Sequence, residues 1–293
     1  MRAISHAGQA LSRLARGFTV APRARTIGFL SPSGALTHDV CMILSASLAV
    51  ISVLRLLAVS GTEPANGPAP APPPIETYGT IRGLTQNRDL APKVTLSDVQ
   101  QAANAYGLGS LSDLRGEITI LDGVVWLAFA PAAGTNEAPR VVSSLQSSET
   151  AAFLAVSHVS PPAWQAFGLE APLTSENLQA TIERMLPPAR KKKGARPFPF
   201  RVEGHFQLVT LAIVDGQRLP PGARGEAAIE KTNLMQALRE ADGTVVGFYS
   251  PKEGAAFNHA HKRLHAHAVL PRNQAAGHLQ TFVMAPGATL LFP

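Results

Sequence analysis

Three histidines near the C-terminal end of the chain have the spacing of metal ligands. His265 and His267 are two residues apart, and on a β-strand such residues point to the same face because side chains alternate across the sheet. The turn-like segment 271–277 follows, and His278 then begins a second apolar run, so a hairpin would return it beside the pair. Three neutral imidazoles with one open position are typical of catalytic zinc sites. The pattern therefore predicts a site for Zn²⁺, or another divalent transition metal, on a C-terminal β-hairpin.

Two further histidines leave a second interpretation open. His259 and His261 lie just before the first strand of this hairpin. Segment 258–267 is therefore also consistent with a histidine-rich tract that binds metals loosely. The separate position of His278 favours a defined site, but spacing alone does not choose between the two interpretations.

The positive charge of the chain is concentrated at its N-terminal end. The 293 residues carry a net charge of +6, and residues 1–60 hold six arginines and one acidic residue. The remainder has 20 basic and 19 acidic residues and is close to neutral. Binding to nucleic acid through its phosphate backbone is therefore not indicated.

Residues 1–60 have the composition of a leader. The apolar run Cys41–Leu54 has the length of a signal-peptide core, with arginines before it and acidic residues after it. We expect export or a membrane tether, as a cleaved signal peptide or an uncleaved anchor, with an organelle transit peptide as an alternative. A proline-rich linker follows at 61–75. The single cysteine is Cys41, so nitrogen and oxygen ligands must hold any metal in the folded part.

The apolar patterns of residues 76–293 predict an α+β domain with mixed or antiparallel sheets, a few helices and two β-rich halves, about 76–190 and 197–293. The strongest local signal is Asp122-Gly123, which predicts a β-hairpin over 117–129. Segment 200–213 predicts two strands joined by a turn at Glu203-Gly204. Further strands are predicted at 151–159 and 243–250, and helices at 94–106, 175–185 and 227–240.

Taken in order, these segments resemble the α-acetolactate decarboxylase family. The resemblance covers about residues 76–284 and rests on five motifs. These are YGTIRGL at 78–84, GLGS at 107–110 with LRGEITILDG at 114–123, FRVEGHF at 200–206, GTVVGFYSP at 243–251, and the HxH…GH pattern that ends at His278. The resemblance implies that the metal ligands are His265, His267 and His278, which leaves His259 and His261 as loop residues.

The resemblance also assigns catalytic residues, with two departures from the family pattern. It matches the active-site glutamate to Glu117 and a neighbouring hydroxyl, where threonine is usual, to Ser110. The family arginine near the substrate carboxylate falls on Ala212. No acidic residue follows Glu253, so we expect the glutamate of the family's C-terminal tail to be absent.

The implied function is metal-dependent decarboxylation of 2-acetolactate, or a related 2-hydroxy-3-keto acid, to acetoin and CO₂. The departures keep two alternatives open. One is a catalytically impaired homologue that binds metal and a small ligand, and the other is a non-catalytic module with incidental histidines. The expected partner is a small-molecule substrate rather than nucleic acid, and a homodimer is left open.

Overall fold

The computed structural model describes residues 71–99, 102–132, 135, 137–192 and 194–293. The leader at 1–60 and the linker up to residue 70 lie outside the described residues, so the expected signal peptide or anchor is not tested. Within the described ranges, no helix is both long and apolar enough to cross a membrane.

Two seven-stranded sheets form the domain, and every pairing in them is antiparallel. The first sheet contains β1 (Glu76–Tyr78), β2 (Val94–Thr95), β3 (Ala105–Leu111), β4 (Gly116–Leu121), β5 (Val124–Phe129), β6 (Arg140–Ser144) and β7 (Thr150–His158). The second contains β8 (Gln165–Gly168), β9 (Leu173–Thr174), β10 (Phe198–Ile213), β11 (Leu234–Tyr249), β12 (Leu264–Leu270), β13 (Ala275–Met284) and β14 (Thr289–Phe292).

Helices are few and short, which confirms the predicted α+β class. The described residues form α1 (Ile81–Gln86), α2 (Leu96–Val99), α3 (Leu178–Met185), α4 (Pro188–Lys191) and α5 (Glu226–Glu230). Four 3-10 turns lie at Ser112–Leu114, Pro161–Ala163, Gly216–Arg218 and Pro271–Asn273.

The first sheet has the order β1-β7-β3-β4-β5-β6, with β2 paired to β7. The second has the order β8-β14-β10-β11-β12-β13-β9, and an extra pairing of β10 with β13 closes the four strands β10 to β13 on themselves. Because β8 and β9 belong to the second sheet, the chain changes sheets between residues 158 and 165. This is earlier than the expected boundary between 190 and 197.

The predicted hairpin over 117–129 is confirmed as β4 and β5. Leu121 pairs with Val124, which leaves Asp122 and Gly123 as a two-residue turn with φ of +51° and +77°. Positive φ at both central residues is the turn geometry that matches the twist of adjacent strands.

The predicted turn at Glu203-Gly204 is wrong, because β10 runs through it without interruption. Glu203 pairs with Thr244 and Gly204 pairs with Gly243 in the β10–β11 ladder. A Cβ atom at residue 204 would lie 2.9 Å from the Ala288 Cβ atom. The glycine therefore permits close packing inside a long strand and does not mark a turn.

Two of the predicted helices are also largely wrong. Helix α5 ends at Glu230, and residues 234–240 begin β11, where Leu234 pairs with Ile213 and Arg239 with Leu208. Segment 94–106 is divided among β2, α2 and the first residues of β3. Pairing with neighbouring strands overrides the local helix signal in both segments. The helix predicted at 175–185 is present as α3.

An apolar cluster joins the two sheets. Leu108, Leu114 and Phe153 of the first half pack in one buried cluster with Val214 and Phe248 of the second. All five side chains are nearly or fully inaccessible to solvent. This cluster fixes how β3, β4 and β7 approach the second sheet, and polar side chains lie beside it.

Candidate metal centre

The hairpin of β12 and β13 brings the three predicted histidines together. His267 lies directly opposite His278 in the ladder, and His265 lies two residues before His267 on the same face. The ring centres of the three imidazoles are 5.1 to 5.5 Å apart. The connection is tighter than predicted, since a 3-10 turn and Gln274 in a left-handed conformation reverse the chain and β13 begins at Ala275.

A glycine sets the backbone just before His278. Gly277 has a φ of +154°, and a Cβ atom there would lie 3.1 Å from the carbonyl oxygen of Ala212. A larger residue at 277 would push β13 away from β10. The glycine therefore helps to place the His278 ring opposite His267.

The His265 ring is fixed by its surroundings. Its Nδ1 donates a hydrogen bond to the carbonyl oxygen of Phe257 at 2.7 Å. The Phe153 ring is stacked parallel to it, with ring centres 6.1 Å apart. Its Nε2 lies 3.2 Å from Nδ1 of His278. Since the backbone bond uses Nδ1, Nε2 of His265 is the nitrogen free to bind a metal.

His267 contributes a buried nitrogen without a hydrogen-bond partner. Its Nδ1 lies 3.1 Å from the Thr119 hydroxyl. Its Nε2 is fully buried, makes no hydrogen bond and lies 3.8 Å from a carboxyl oxygen of Glu117. A buried polar atom that is left unpaired is costly, and metal coordination would satisfy it.

A fourth imidazole joins the cluster from a loop. The ring centre of His259 lies 4.9 Å from that of His265 and 5.3 Å from that of His278. One ring nitrogen from each of these three residues lies within 4.8 Å of the other two. The resemblance assigned His259 and His261 to a loop without a role at the metal. His261 lies away from the imidazoles, in the lining of a neighbouring cavity. His259 lies beside them.

Burial keeps the imidazoles neutral. Loss of solvation, followed by repulsion from neighbouring imidazoles, lowers the pKa of His265 and of His267 far below the ordinary value. The same desolvation lowers the pKa of His278 to about 3. Metal binding requires unprotonated imidazole, so these rings are in the required state at neutral pH.

Glu117 reaches the centre from the first sheet. Gly116 precedes it with a φ of +149°, where a Cβ atom would lie 2.0 Å from the Ala128 carbonyl oxygen. One carboxyl oxygen of Glu117 accepts a hydrogen bond from the Val214 N–H at 3.2 Å. The other accepts one from the Ser110 hydroxyl at 3.3 Å. Ser110 and Glu117 are cross-strand partners in β3 and β4, so the structure brings the two predicted catalytic residues together.

The Glu117 carboxyl is a proton-holding group at neutral pH. Desolvation is the largest effect and raises its pKa to about 8, although the hydrogen bonds from Val214 and Ser110 oppose the shift. Glu117 and Thr119 are two residues apart on β4 and face the same side. That face of β4 meets His267 of the second sheet.

The donor set fits a divalent transition metal. Two nitrogens bound to one tetrahedral zinc ion lie about 3.3 Å apart at ordinary bond lengths, close to the 3.2 Å between His265 and His278. The unpaired Nε2 of His267 is a further candidate donor, but the three nitrogens that lie within 4.8 Å of one another are those of His259, His265 and His278. Imidazole nitrogens suit zinc, copper, iron and nickel rather than magnesium or calcium.

Beside the imidazoles is a cavity of about 60 Å³ whose lining includes Ser110, Glu117, His265 and His278. The described lining contains no arginine or lysine. Ala212, where the family arginine was expected, is buried and pairs with His278. Cross-strand partners face the same side, so a longer side chain at 212 would point toward the imidazoles.

Three arginines that could have replaced the missing charge are engaged elsewhere. Each forms an ion pair with at least one carboxylate of its own surroundings. The pairs are Arg115 with Glu149, Arg201 with Asp122 and Glu203, and Arg218 with Asp215. A wider groove of about 510 Å³ also reaches the imidazoles, and Lys262 lies in its lining.

One family model matches most of this chain, and solved structures share its fold. A family model described as alpha-acetolactate decarboxylase matches residues 77–290. The crystal structure of alpha-acetolactate decarboxylase from Bacillus subtilis strain 168 is similar over 75% of this chain and 85% of its own, with 20% identity and a TM-score of 0.57. A Staphylococcus aureus protein of unknown function, described as similar to alpha-acetolactate decarboxylase, covers 75% of this chain and 84% of its own, with 15% identity and a TM-score of 0.59. A search of curated proteins gave no match. At these identities the structural similarity establishes a common fold.

Proposed function

This chain belongs to the alpha-acetolactate decarboxylase family, and from that membership we propose that it catalyses metal-dependent decarboxylation of 2-acetolactate to acetoin and CO₂, or the same reaction of a related 2-hydroxy-3-keto acid. Family and fold support a decarboxylase-type function. The observation that carries the finer proposal is the position of a buried carboxyl, Glu117, 3.8 Å from the unpaired nitrogen of His267.

In this proposal His265, His267 and His278 hold the metal, with zinc as first choice. A bound divalent cation supplies Lewis-acid stabilisation of the negative charge that develops on substrate oxygen as CO₂ leaves. Thr119 orients His267 through Nδ1, and the Phe257 carbonyl orients His265 in the same way. Such partners set the direction of the ligand lone pairs.

Glu117 handles the proton. When the bond between the carboxylate and the hydroxyl-bearing carbon breaks, CO₂ leaves and the electron pair stays on the remaining fragment. Acetoin forms when a proton is added to the carbon that carried the carboxylate. Burial raises the pKa of this carboxyl to about 8 in the metal-free protein, which favours the protonated form that can deliver the proton. Hydrogen bonds from Val214 and Ser110 hold the carboxyl in one orientation, and solvent restores the proton afterwards.

A second function, binding of metal and a small ligand without turnover, is favoured by one observation. The described lining of the cavity at the imidazoles contains no arginine or lysine to hold a substrate carboxylate by charge-assisted hydrogen bonds. Poor orientation of the substrate by about 1 Å can cost roughly 100-fold in rate. The two functions therefore differ in turnover and not in metal binding.

Acetoin production by the purified, zinc-loaded protein tests the proposal. We expect acetoin above the background of a metal-stripped sample when 2-acetolactate is supplied. Ala212→Arg should raise the rate, by up to about 100-fold if orientation limits it. No acetoin from either protein, with zinc bound and the fold intact, would favour the ligand-binding function. Unfolding of Ala212→Arg would show that residue 212 has no room for the family arginine.

We also propose that residues 1–60 direct export or tether the protein to a membrane. The proposal rests on the arginine-rich start and the apolar run Cys41–Leu54. Fractionation of cells that express the full chain should place it in the exported or membrane fraction. A chain that begins at Ile75 should fold and stay in the cytosol. Recovery of the full chain in the cytosol would refute the proposal.

A further inference from the structure

His259 lies at the imidazole cluster with a carboxylate partner of its own. Its Nδ1 contacts a carboxyl oxygen of Glu226, the first residue of α5. A carboxylate can only accept hydrogen bonds. Nδ1 of His259 is therefore the donor in this contact, and Nε2 is the nitrogen that remains to bind a metal.

A metal-binding histidine usually has this arrangement. The nitrogen that does not bind the metal donates to a carboxylate or a backbone carbonyl, which fixes the tautomer and makes the other nitrogen a better ligand. His265 has the same arrangement with the Phe257 carbonyl. His259 therefore has the tautomer and the outer partner of a ligand as well as the position of one.

The distances place His259 within reach of the same ion. Its ring centre is as close to those of His265 and His278, at 4.9 and 5.3 Å, as the ring centres of the hairpin histidines are to one another. Its side chain is about a quarter exposed, so it lies on the solvent side of the cluster. His267 is completely buried on the opposite side, next to Glu117.

We propose that His259, held by Glu226, is a fourth protein ligand of the metal, in addition to His265, His267 and His278. The inference rests on the metal centre of the proposed function and deepens it. Four imidazoles would close the ligand set, as four protein ligands do in structural zinc sites. His259 is the only one of the four in a loop rather than a strand, so it is the ligand that can yield its position to a small molecule.

Metal binding by matched histidine variants tests this inference without an activity assay. Zinc dissociation constants would be measured by competition with a chelator for the full-length protein, His259→Ala and His261→Ala. Loss of His259 should weaken zinc binding by at least about 10-fold, and Glu226→Gln by about 10- to 100-fold, the usual cost of removing an outer partner. His261→Ala is the control from the same loop and should bind zinc as the unchanged protein does.

A second measurement avoids dependence on the folding of variants. X-ray absorption spectroscopy of the unchanged zinc-loaded protein counts its imidazole ligands, and we expect four. Three imidazoles, with a His259→Ala affinity equal to that of the unchanged protein, would overturn the inference and leave the three-histidine centre of the proposed function intact. Failure of the unchanged protein to bind zinc, cobalt or nickel would overturn both.

Discussion

The two sheets contribute to one centre by different physical routes. The second sheet supplies His265 and His278 from a single hairpin, only 13 residues apart, and their proximity follows from strand alternation and register. The first sheet supplies Glu117, whose hydrogen bond to Val214 spans 97 residues. The acid is therefore placed by packing between the sheets. The hairpin histidines form a local unit, whereas the position of Glu117 beside them depends on the packing of the two sheets.

Burial shifts the pKa of the acid and the pKa of the imidazoles in opposite directions, and both shifts favour the neutral form. It raises the pKa of the Glu117 carboxyl to about 8 and lowers the pKa of the His278 imidazole to about 3. Both groups are therefore neutral at pH 7, because a dry environment disfavours the charged form of either group. One region thus offers lone pairs to a cation and the other offers a proton.

Removing two ligands should have the largest effect. In the double variant His265→Ala, His267→Ala, metal content measured by elemental analysis should fall from about one ion per chain to near zero. His205→Ala, a histidine of β10 that lies at the surface, is the matched control and should keep its metal. A double variant that still holds the metal would show that the hairpin is not the metal-binding unit.

The variant Glu117→Gln should lose activity without losing the metal. The amide keeps the size of the side chain but cannot exchange a proton in the same way, so acetoin formation should fall by about 10²–10⁴-fold. Metal content and the unfolding transition should stay close to those of the unchanged protein. Glu149→Gln, which alters a partly exposed ion pair with Arg115 at the ends of β4 and β7, should leave activity unchanged. Loss of metal from Glu117→Gln would show that metal binding also depends on Glu117.

Two buried phenylalanines, one in each sheet, can be used to separate an effect on stability from an effect on metal binding. Phe153→Ala and Phe206→Ala should each lower the free energy of unfolding by about 3–5 kcal/mol, since both side chains are fully buried. Only Phe153 stacks on a site histidine, so only Phe153→Ala should also weaken metal binding. Denaturant unfolding and chelator competition on both variants give the two values. Equal metal affinities would show that the stack does not position His265.

The smallest expected effect concerns an exposed histidine of the second sheet. Hydrogen bonds to Glu240 and then to Asp242 raise the pKa of His205, opposite in direction to the shift at the buried histidines. A raised pKa in the folded state stabilises the protein below the ordinary histidine pKa, and this contribution disappears as pH rises through the raised value. The melting temperature of His205→Ala should therefore be lower than that of the unchanged protein at pH 5.5 and equal to it at pH 9. A difference in melting temperature that grows as the pH rises would contradict this expectation.

Several features of the centre could be predicted from sequence because they depend on neighbours along the chain. The spacing of His265 and His267 sets a common face, and the turn after residue 270 returns His278 to the same ladder. Asp122-Gly123 likewise predicted the β4–β5 hairpin. The resemblance to the family added Ser110 and Glu117, whose proximity the β3–β4 register then accounts for.

Other features depended on contacts between distant residues. Residues 234–240 have a helical pattern but pair with β10, and Gly204 resembles a turn residue but packs against Ala288 within a strand. The position of His259 at the cluster depends on how its loop folds over β12 and on the contact with Glu226, neither of which a local pattern encodes. The sequence alone therefore determined the hairpin that brings His265, His267 and His278 together, because alternation and register are local. Only the tertiary structure placed Glu117 beside the hairpin and brought a fourth imidazole, His259, next to it, because these contacts form when the sheets and loops pack and distant polar groups are buried together.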